Sequence, residues 1–471
     1  KHGKLSCTQS RHERMLMKSN AALTEEYFAI ADSLQGDIQG RRSAFAYMQS
    51  STAIVHHKVV ASSFIPRLFN DESWSTLKDI AETTHRILCK VISHYLKEPS
   101  YRSVFSYDKR LEELILLPRG YDDVLPFARI DVFLNEDDMS CKFCEFNGDG
   151  SAGMNENREI TNSITTTETY RQFCQTHDIE PCELFESWVI KFIDIFTRSR
   201  HAVPNARFAI CDYLECGVVD EFKVFSEYFK HHGYECVICD VRDLRFDGTV
   251  LRDKDNQPIH AIWRRCVTND VLAYWDESQD LIEALRHEAV ALIGSFAGHI
   301  VHDKQIFEAL YHPKTKAILT DEENEFVENH VPRTAFLNNS DIELREVRNN
   351  KDGWIIKPTD NYGARDVYAG VSFMQSEWNE LIDRFANEKA GSPFIAQSYI
   401  TPFKTHTLAP DAGINDLDDS EVDTKGSWYN NLSGLYLYNG TFQGIFSRLG
   451  PLPTISKEHQ GMTAATLHVR G

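Results

Sequence analysis

Four polar residues in one short stretch have the types and spacing for metal and phosphate chemistry. They are Arg129 and Asp131 in FARIDVFL, and Glu145 and Asn147 in CKFCEFN. Both segments read as strands, Phe127–Leu134 and Cys141–Asn147, joined by the polar turn Asn135-Glu-Asp-Asp. Strand side chains alternate between faces, so Arg129 and Asp131 share one face and Ile130, Val132 and Leu134 the other. On the second strand Glu145 and Asn147 share a face, and Cys144 and Phe146 take the apolar one. Paired as a hairpin, the strands gather a guanidinium, two carboxylates and an amide on one surface. Mg²⁺ takes hard oxygen ligands, usually one or two carboxylates completed by water and phosphate. Asp131, Glu145 and Asn147 supply such oxygens, and Arg129 beside them suits phosphate. The same pattern also describes an edge hairpin whose outer face is simply wet. Two features favour the metal reading: the Gly-Asp-Gly-Ser-Ala-Gly run that follows lets backbone approach a ligand closely, and the turn already carries acids enough for solubility.

Further cations appear downstream. Lys304, near the start of the helical HDKQIFEAL, can reach a phosphate or lie exposed. In GWIIKPTDNYGARDVYAG, Trp354–Lys357 reads as a strand, Pro358 ends its pairing, and 360–366 form a polar loop around Gly363 before a return strand. A Lys leaving a strand ahead of such a loop can clamp a polyphosphate, the ammonium neutralising charge while loop amides donate hydrogen bonds. PFIAQSYI reads as a strand after a helix over 378–387. LSGLYLYNGTFQGIFSRLG is a hairpin about an Asn-Gly turn, with Arg448 near its end.

Arg-x-Asp, a turn, then Glu-x-Asn and a glycine-bearing loop resembles the metal-binding end of the ATP-grasp ligases. The longer CEFNGDGSAGMNE resembles the synthetase domain of the glutathionylspermidine synthase family, whose circularly permuted order puts this motif first. The resemblance implies an α+β / α/β chain with a permuted ATP-grasp fold, a small Rossmann-like pre-ATP-grasp domain and an N-terminal helical region. The regions expected are 1–107 (helical), 108–200 (metal-binding half), 201–300 (pre-ATP-grasp) and 301–471 (nucleotide-binding lid and closing hairpin). It also implies an ATP-dependent carboxylate–amine ligase working through an acyl phosphate, with ATP and Mg²⁺ bound. Asp131, Glu145 and Asn147 would hold the metal, and Arg129 would stabilise the transferring group. Lys304, Lys357 and Gly363 would grip the polyphosphate, and Gln397, Ser398 and Tyr399 would lie along adenine. Gln397 to Ile400 can equally be an interior strand, and Arg448 can hold phosphate, carboxylate or merely structure. Ala364 stands where the family form has a second glycine, Gly-Gly-Arg. A nucleotide-binding protein without turnover, regulatory or scaffolding, is the alternative; a zinc-bearing interaction protein built on the CxxC pairs is a third.

The 471 residues suffice for about three domains. Apolar runs fall short of the ~18 residues a membrane span needs, and the polar start has no apolar leader core. A net charge of −20, from 50 basic and 70 acidic residues, argues against nucleic acid as partner. It is compatible with a cationic amine such as a polyamine, and equally with plain solubility. The expected partners are a small-molecule or peptide acid and an amine. Eleven cysteines without an export signal suggest reduced thiols and the cytoplasm. Cys141/Cys144 and Cys236/Cys239 have zinc-like spacing, but on strands positions three apart face opposite ways, whereas zinc knuckles use turns.

The first 20 residues should fray, and three- and four-residue apolar spacing predicts helix from Ala21 to about Tyr107, with 71–73 capping its last helix. Helix is also expected over 168–198. RFAICDY, an amphipathic helix over 220–232, YECVICD and HAIWRRC form a βαβ pattern and a small parallel sheet, with a hairpin around Asp247-Gly248. Arg264 and Arg265 end the third strand, either as surface arginines or as an edge of the cleft. Residues 408–427 read as a polar, acidic surface insertion or mobile loop.

Overall fold

The computed structural model describes residues 18–55, 58–338, 342–361, 365–387 and 393–471. The largest of its sheets has eight strands. Its path runs Ser62–Asn70, Met462–Arg470, Thr441–Gly450, Ser427–Tyr438, Phe127–Leu134, Cys141–Asn147, with Asp178–Pro181 and Lys404–Thr407 paired at its flanks. One face is apolar: Ile130, Val132, Leu435, Leu437 and Ile445 are buried against Leu88, Val91 and Ile92 of the long helix Asp71–Lys97. Burying each such side chain contributes about 1.5–3 kcal/mol. The helix is capped by Asn70, whose side chain accepts the Ser73 N–H at 2.9 Å, one residue before the expected 71–73.

Three expectations need correction. The region 21–107 is not all helical, because Ser62–Asn70 forms a strand parallel to Met462–Arg470. That strand is almost wholly buried and contains Pro66, so it offers no period-2 pattern to read. Over 168–198 there are two helices, Glu168–Phe173 and Glu186–Thr197, separated by the strand Asp178–Pro181; the buried stripe Trp188, Val189, Phe192 and Ile195 belongs to the second alone. Of the two readings of the acidic segment 408–427, the surface insertion fits, since most of it is exposed, and the mobile loop does not: Asp411 and Asp419 pair with Arg41 and Arg42 at 2.5 and 2.7 Å, and Leu408, Ile414 and Val422 are buried.

The second sheet matches the βαβ reading. Ala291–Ile293, Ala261–Arg264, Arg207–Asp212 and Glu235–Asp240 lie side by side, all parallel, with helix Val219–His231 making the crossover. The third sheet is antiparallel, ordered Thr334–Phe336, Phe394–Ser398, Trp354–Pro358, Tyr368–Ala369. It packs Trp354 and Ile356 against Trp378 and Ile382 of helix Gln375–Ala386. No helix among the described residues is long and apolar enough to cross a membrane.

The loop leaving Cys141–Asn147 crosses the segment after the second sheet at two glycines. A Cβ on Gly148 would stand 2.6 Å from the Gly298 carbonyl oxygen, and one on Gly298 would collide with the Gly148 carbonyl. Backbone on both sides leaves nothing flexible to give way. Gly298→Ala should therefore cost about 1–3 kcal/mol or more, read as a lower denaturant midpoint at unchanged slope; an unshifted midpoint would show that the crossing has slack.

Candidate functional site

The hairpin pairs Arg129 with Asn147 and Asp131 with Glu145, then slips, so that Val132 meets Phe143. Cys144 is the extra residue of this bulge, and bulges re-aim side chains. Phe143 and Phe146 both enter the core, while Cys144, expected on the apolar face, lines a cavity instead.

On the neighbouring strand Gly434 lies opposite Asp131. A Cβ there would be 2.8 Å from Arg129 Cδ and 2.9 Å from Asp131 Oδ1, so glycine leaves the room this pair fills. Arg129 Nε donates to Asp131 Oδ1 at 2.7 Å and its Nη2 to Oδ2 at 3.2 Å. Arg448, from the strand beyond, also donates to Oδ2. Asp131 has no solvent exposure, and both its oxygens are engaged by guanidinium groups. Glu145 is different: it lines the cavity with its side chain 27% exposed, and Asn147 Nδ2 lies 3.5 Å from its Oε1.

Lys304 sits between the short turns His299–His302 and Ile306–Ala309 and is buried, not an exposed helix lysine. Its Nζ donates to the Asn361 carbonyl at 3.0 Å and lies 3.9 Å from Glu145 Oε2. Lys357, buried at the end of its strand, donates to the Cys144 carbonyl at 3.1 Å. Lys304, Lys357, Arg129, Arg448 and Glu145 all line one cavity of about 850 Å³, enclosed between the large sheet and the third. Gln397, Ser398 and Tyr399 line it too. The Ser398 and Tyr399 N–H groups donate to Arg333 O and Gly353 O, both at 2.8 Å, so those two amide hydrogens are spent within the protein. Gly363 falls outside the described residues.

Sequence reasoning missed Asn361 and Glu156, which also line the cavity. Asn361 lay unmarked in a polar loop; Glu156 lies in the first turn of helix Met154–Thr165, where an acid usually signals only helix capping. The glycine run was read as backbone open to a ligand, and Ala152 and Gly153 do reach the cavity. Its remainder is held by the second sheet. Arg264 and Arg265 are buried rather than superficial, Arg264 on Asp149 at 2.5 Å and Arg265 on Glu221 at 3.2 Å and on the Ser151 carbonyl. Neither arginine is among the cavity's lining residues.

Burial works against the charge on Glu145, but Lys304, Arg448, Arg129 and Lys357 outweigh it and hold the carboxyl down to about 2. Burial lowers Lys357 to about 8, with Lys304 adding to the effect. Glu145, the cations Lys304, Lys357, Arg129 and Arg448 around it, and a buried Arg448 Nε without a hydrogen-bond partner suit a divalent cation carrying a polyphosphate; Asn147 adjoins Glu145 but is not itself among the cavity's lining residues. Burial also pushes the Cys141 and Cys144 thiols up to about 12, and among the described residues the one convergent group of three His, Cys, Asp or Glu ligands contains no cysteine.

The molecule is thus a mixed α/β protein of several sheets with a cation-lined cavity on its largest one. No protein-family model matches the chain, and no curated protein matches it by sequence. Among solved structures it is similar to a glutathione synthetase-like effector, GSS30, from Globodera pallida. That likeness covers 91% of this chain and 96% of the other, with a TM-score of 0.58 at 10% identity, which shows a shared fold. Two weaker likenesses carry no argument: a proposed gamma-glutamylcysteine synthetase from Methylobacillus flagellatus KT (TM-score 0.42, 11% identity, 82% and 88% covered) and the D-cycloserine synthetase DcsG (0.28, 13%, 56% and 91%).

Asp131→Asn should cost about 3–5 kcal/mol of stability, because it leaves buried guanidinium charge uncompensated; equilibrium denaturation would read this, and a near-neutral change would mean the arginines find other partners. Lys357 should lose its proton as pH rises through about 8. Since a polyphosphate favours the charged ammonium, any affinity of the cavity for metal-free tripolyphosphate should fall between pH 7 and 9 in the wild type and stay flatter in Lys357→Arg. A flat wild-type profile would exclude Lys357 from the phosphate site.

Proposed function

We propose that this chain is an ATP-dependent carboxylate–amine ligase of the ATP-grasp type. The observation that carries the reading is the convergence of Glu145, Lys304 and Lys357, from widely separated parts of the chain, on one cavity with Arg129 and Arg448. The fold shared with a glutathione synthetase-like protein supports it. The carboxylate substrate attacks the γ-phosphate of ATP to give an acyl phosphate and ADP; the amine then attacks the acyl carbon and phosphate leaves. Such transfer needs alignment and charge neutralisation more than a protein nucleophile.

Lys304 and Lys357 grip the polyphosphate. Arg129 and Arg448 meet the transferring phosphoryl group or the acid substrate, and Asp131 orients them both. Glu145 and Asn147 would hold Mg²⁺, which when bound supplies charge neutralisation between the β- and γ-phosphates. Gln397 to Ile400 form the wall nearest the nucleotide base. The metal-end strands precede the third sheet in the chain, as in the permuted glutathionylspermidine synthase-like order, so a small peptide or amino acid as acid and a polyamine or other amine as acceptor are the substrate classes proposed. The ten described cysteines are all free thiols, which favours a reducing compartment such as the cytoplasm. A second reading, nucleotide binding without turnover, draws on the engagement of both Asp131 oxygens, which leaves Glu145 as the hairpin carboxylate open to a metal.

The test is ADP formation from ATP across a panel of acid and amine pairs. Glu145→Gln should lower turnover at least ~100-fold with the fold intact. Undiminished turnover in that variant would end the metal assignment, and nucleotide binding with no ADP from any pair would favour the second reading.

A further inference from the structure

Behind Lys304 and Asn361, outside the cavity lining, lies a buried group the ligase reading does not use. His299, Asp303 and Asp360 bring one imidazole nitrogen and two carboxylate oxygens within 4.8 Å of one another. His299 is 1% and Asp303 2% exposed. Three features set this group apart from an ordinary ion pair. His299 Nε2 lies 3.3 Å from Asp360 Oδ2 yet makes no hydrogen bond, so a fully buried nitrogen is directed among carboxylates without an aligned partner. Behind the ring, Nδ1 lies 3.5 Å from Asp149 Oδ2, and Asp149 is itself fixed by Arg264 and by the Thr268 N–H at 2.8 Å. A carboxylate behind an imidazole is the arrangement that fixes the outer nitrogen as a metal ligand. Finally, burial raises the Asp303 carboxyl to about 6, although it accepts the Gln305 N–H and Nε2–H at 2.9 and 3.1 Å.

We propose that His299 Nε2, Asp303 and Asp360 form a binding site for a first-row divalent cation of borderline softness, such as Zn²⁺ or Mn²⁺, separate from the Glu145 and Asn147 pair. One nitrogen with two carboxylates suits those ions better than Mg²⁺. Asp149 and Asp360 favour the protonated ring, so the cation must displace the Nε2 proton that faces Asp360, while Nδ1 keeps its proton toward Asp149. Bound there, it ties Asp360, which follows the strand Trp354–Pro358, to the segment carrying Lys304.

The experiment is Zn²⁺ titration calorimetry of the full chain without nucleotide, together with pulsed EPR of the Mn²⁺-loaded protein. Wild type should bind one equivalent and show nitrogen coupling from a coordinated imidazole. Asp303→Asn and His299→Ala should each weaken binding at least tenfold, while Glu145→Gln leaves it unchanged. Binding that survives both His299→Ala and Asp303→Asn, or that is lost with Glu145→Gln, overturns the site. Absence of imidazole coupling in the wild type overturns it too, whether or not the variants fold.

Discussion

A carboxylate removed from water between two guanidinium groups is the constraint on which the cavity depends. At zero exposure both oxygens of Asp131 need partners, since a buried unpaired charge is among the costliest features a fold can carry. Matching it enlists three adjacent strands. Arg129 lies two residues away on the same strand, Gly434 leaves space on the next, and Arg448 reaches over from the one beyond. A one-residue slip in any of these pairings would turn a charged side chain into the Ile130 and Val132 core. The register that satisfies Asp131 is also the one that sets Glu145 opposite it and on the cavity wall.

The second sheet serves that site indirectly. In parallel α/β sheets the carboxyl ends of the strands usually receive ligand. Here Arg264 and Arg265 occupy that end and bind the 148–153 loop through Asp149 and the Ser151 carbonyl. Glu221, on the crossover helix, accepts the Gly153 and Asn155 N–H groups at 3.2 and 3.0 Å. The loop that follows the hairpin Phe127–Asn147 is therefore held by a neighbouring sheet from one side and crossed by Gly298 from the other, which gives Ala152 and Gly153 a fixed edge at the cavity.

What the sequence disclosed followed from periodicity and turn chemistry. The hairpin bounds 127–134 and 141–147, the parallel sheet with its crossover, and the Asn439-Gly440 turn between Ser427–Tyr438 and Thr441–Gly450 all have local signals. Ser62–Asn70 escaped because a strand buried on both faces and broken by Pro66 has no alternation. The bulge at Cys144 escaped because an extra residue inverts the pattern only downstream of itself, so Phe143 and Phe146 look as though they belong to different faces. At the site, residue types were legible but their partners were not: nothing near Asp131 in sequence shows that Arg448, more than 300 residues later, donates to it. The pairing of Asp411 with Arg41 shows the same limit, since an acidic stretch read alone looks solvated and mobile.

The overall charge and the cavity's charge point in opposite directions, and distance decides which one a ligand feels. At physiological ionic strength exposed charges are screened beyond about 8 Å, whereas groups inside a low-dielectric recess are screened far less. The −20 of the chain is spread over a large surface, while Arg129, Arg448, Lys304 and Lys357, with Lys58 and Arg365, line one recess in which Glu145, Glu156 and Glu458 are the acids. A cationic ligand gains from the outer surface only at long range and meets repulsion at the cation-lined wall of the cavity. Acidity of the whole chain therefore says little about an amine, whereas the cluster of buried cations strongly favours an anion, and it is the anionic partner whose chemistry this architecture specifies.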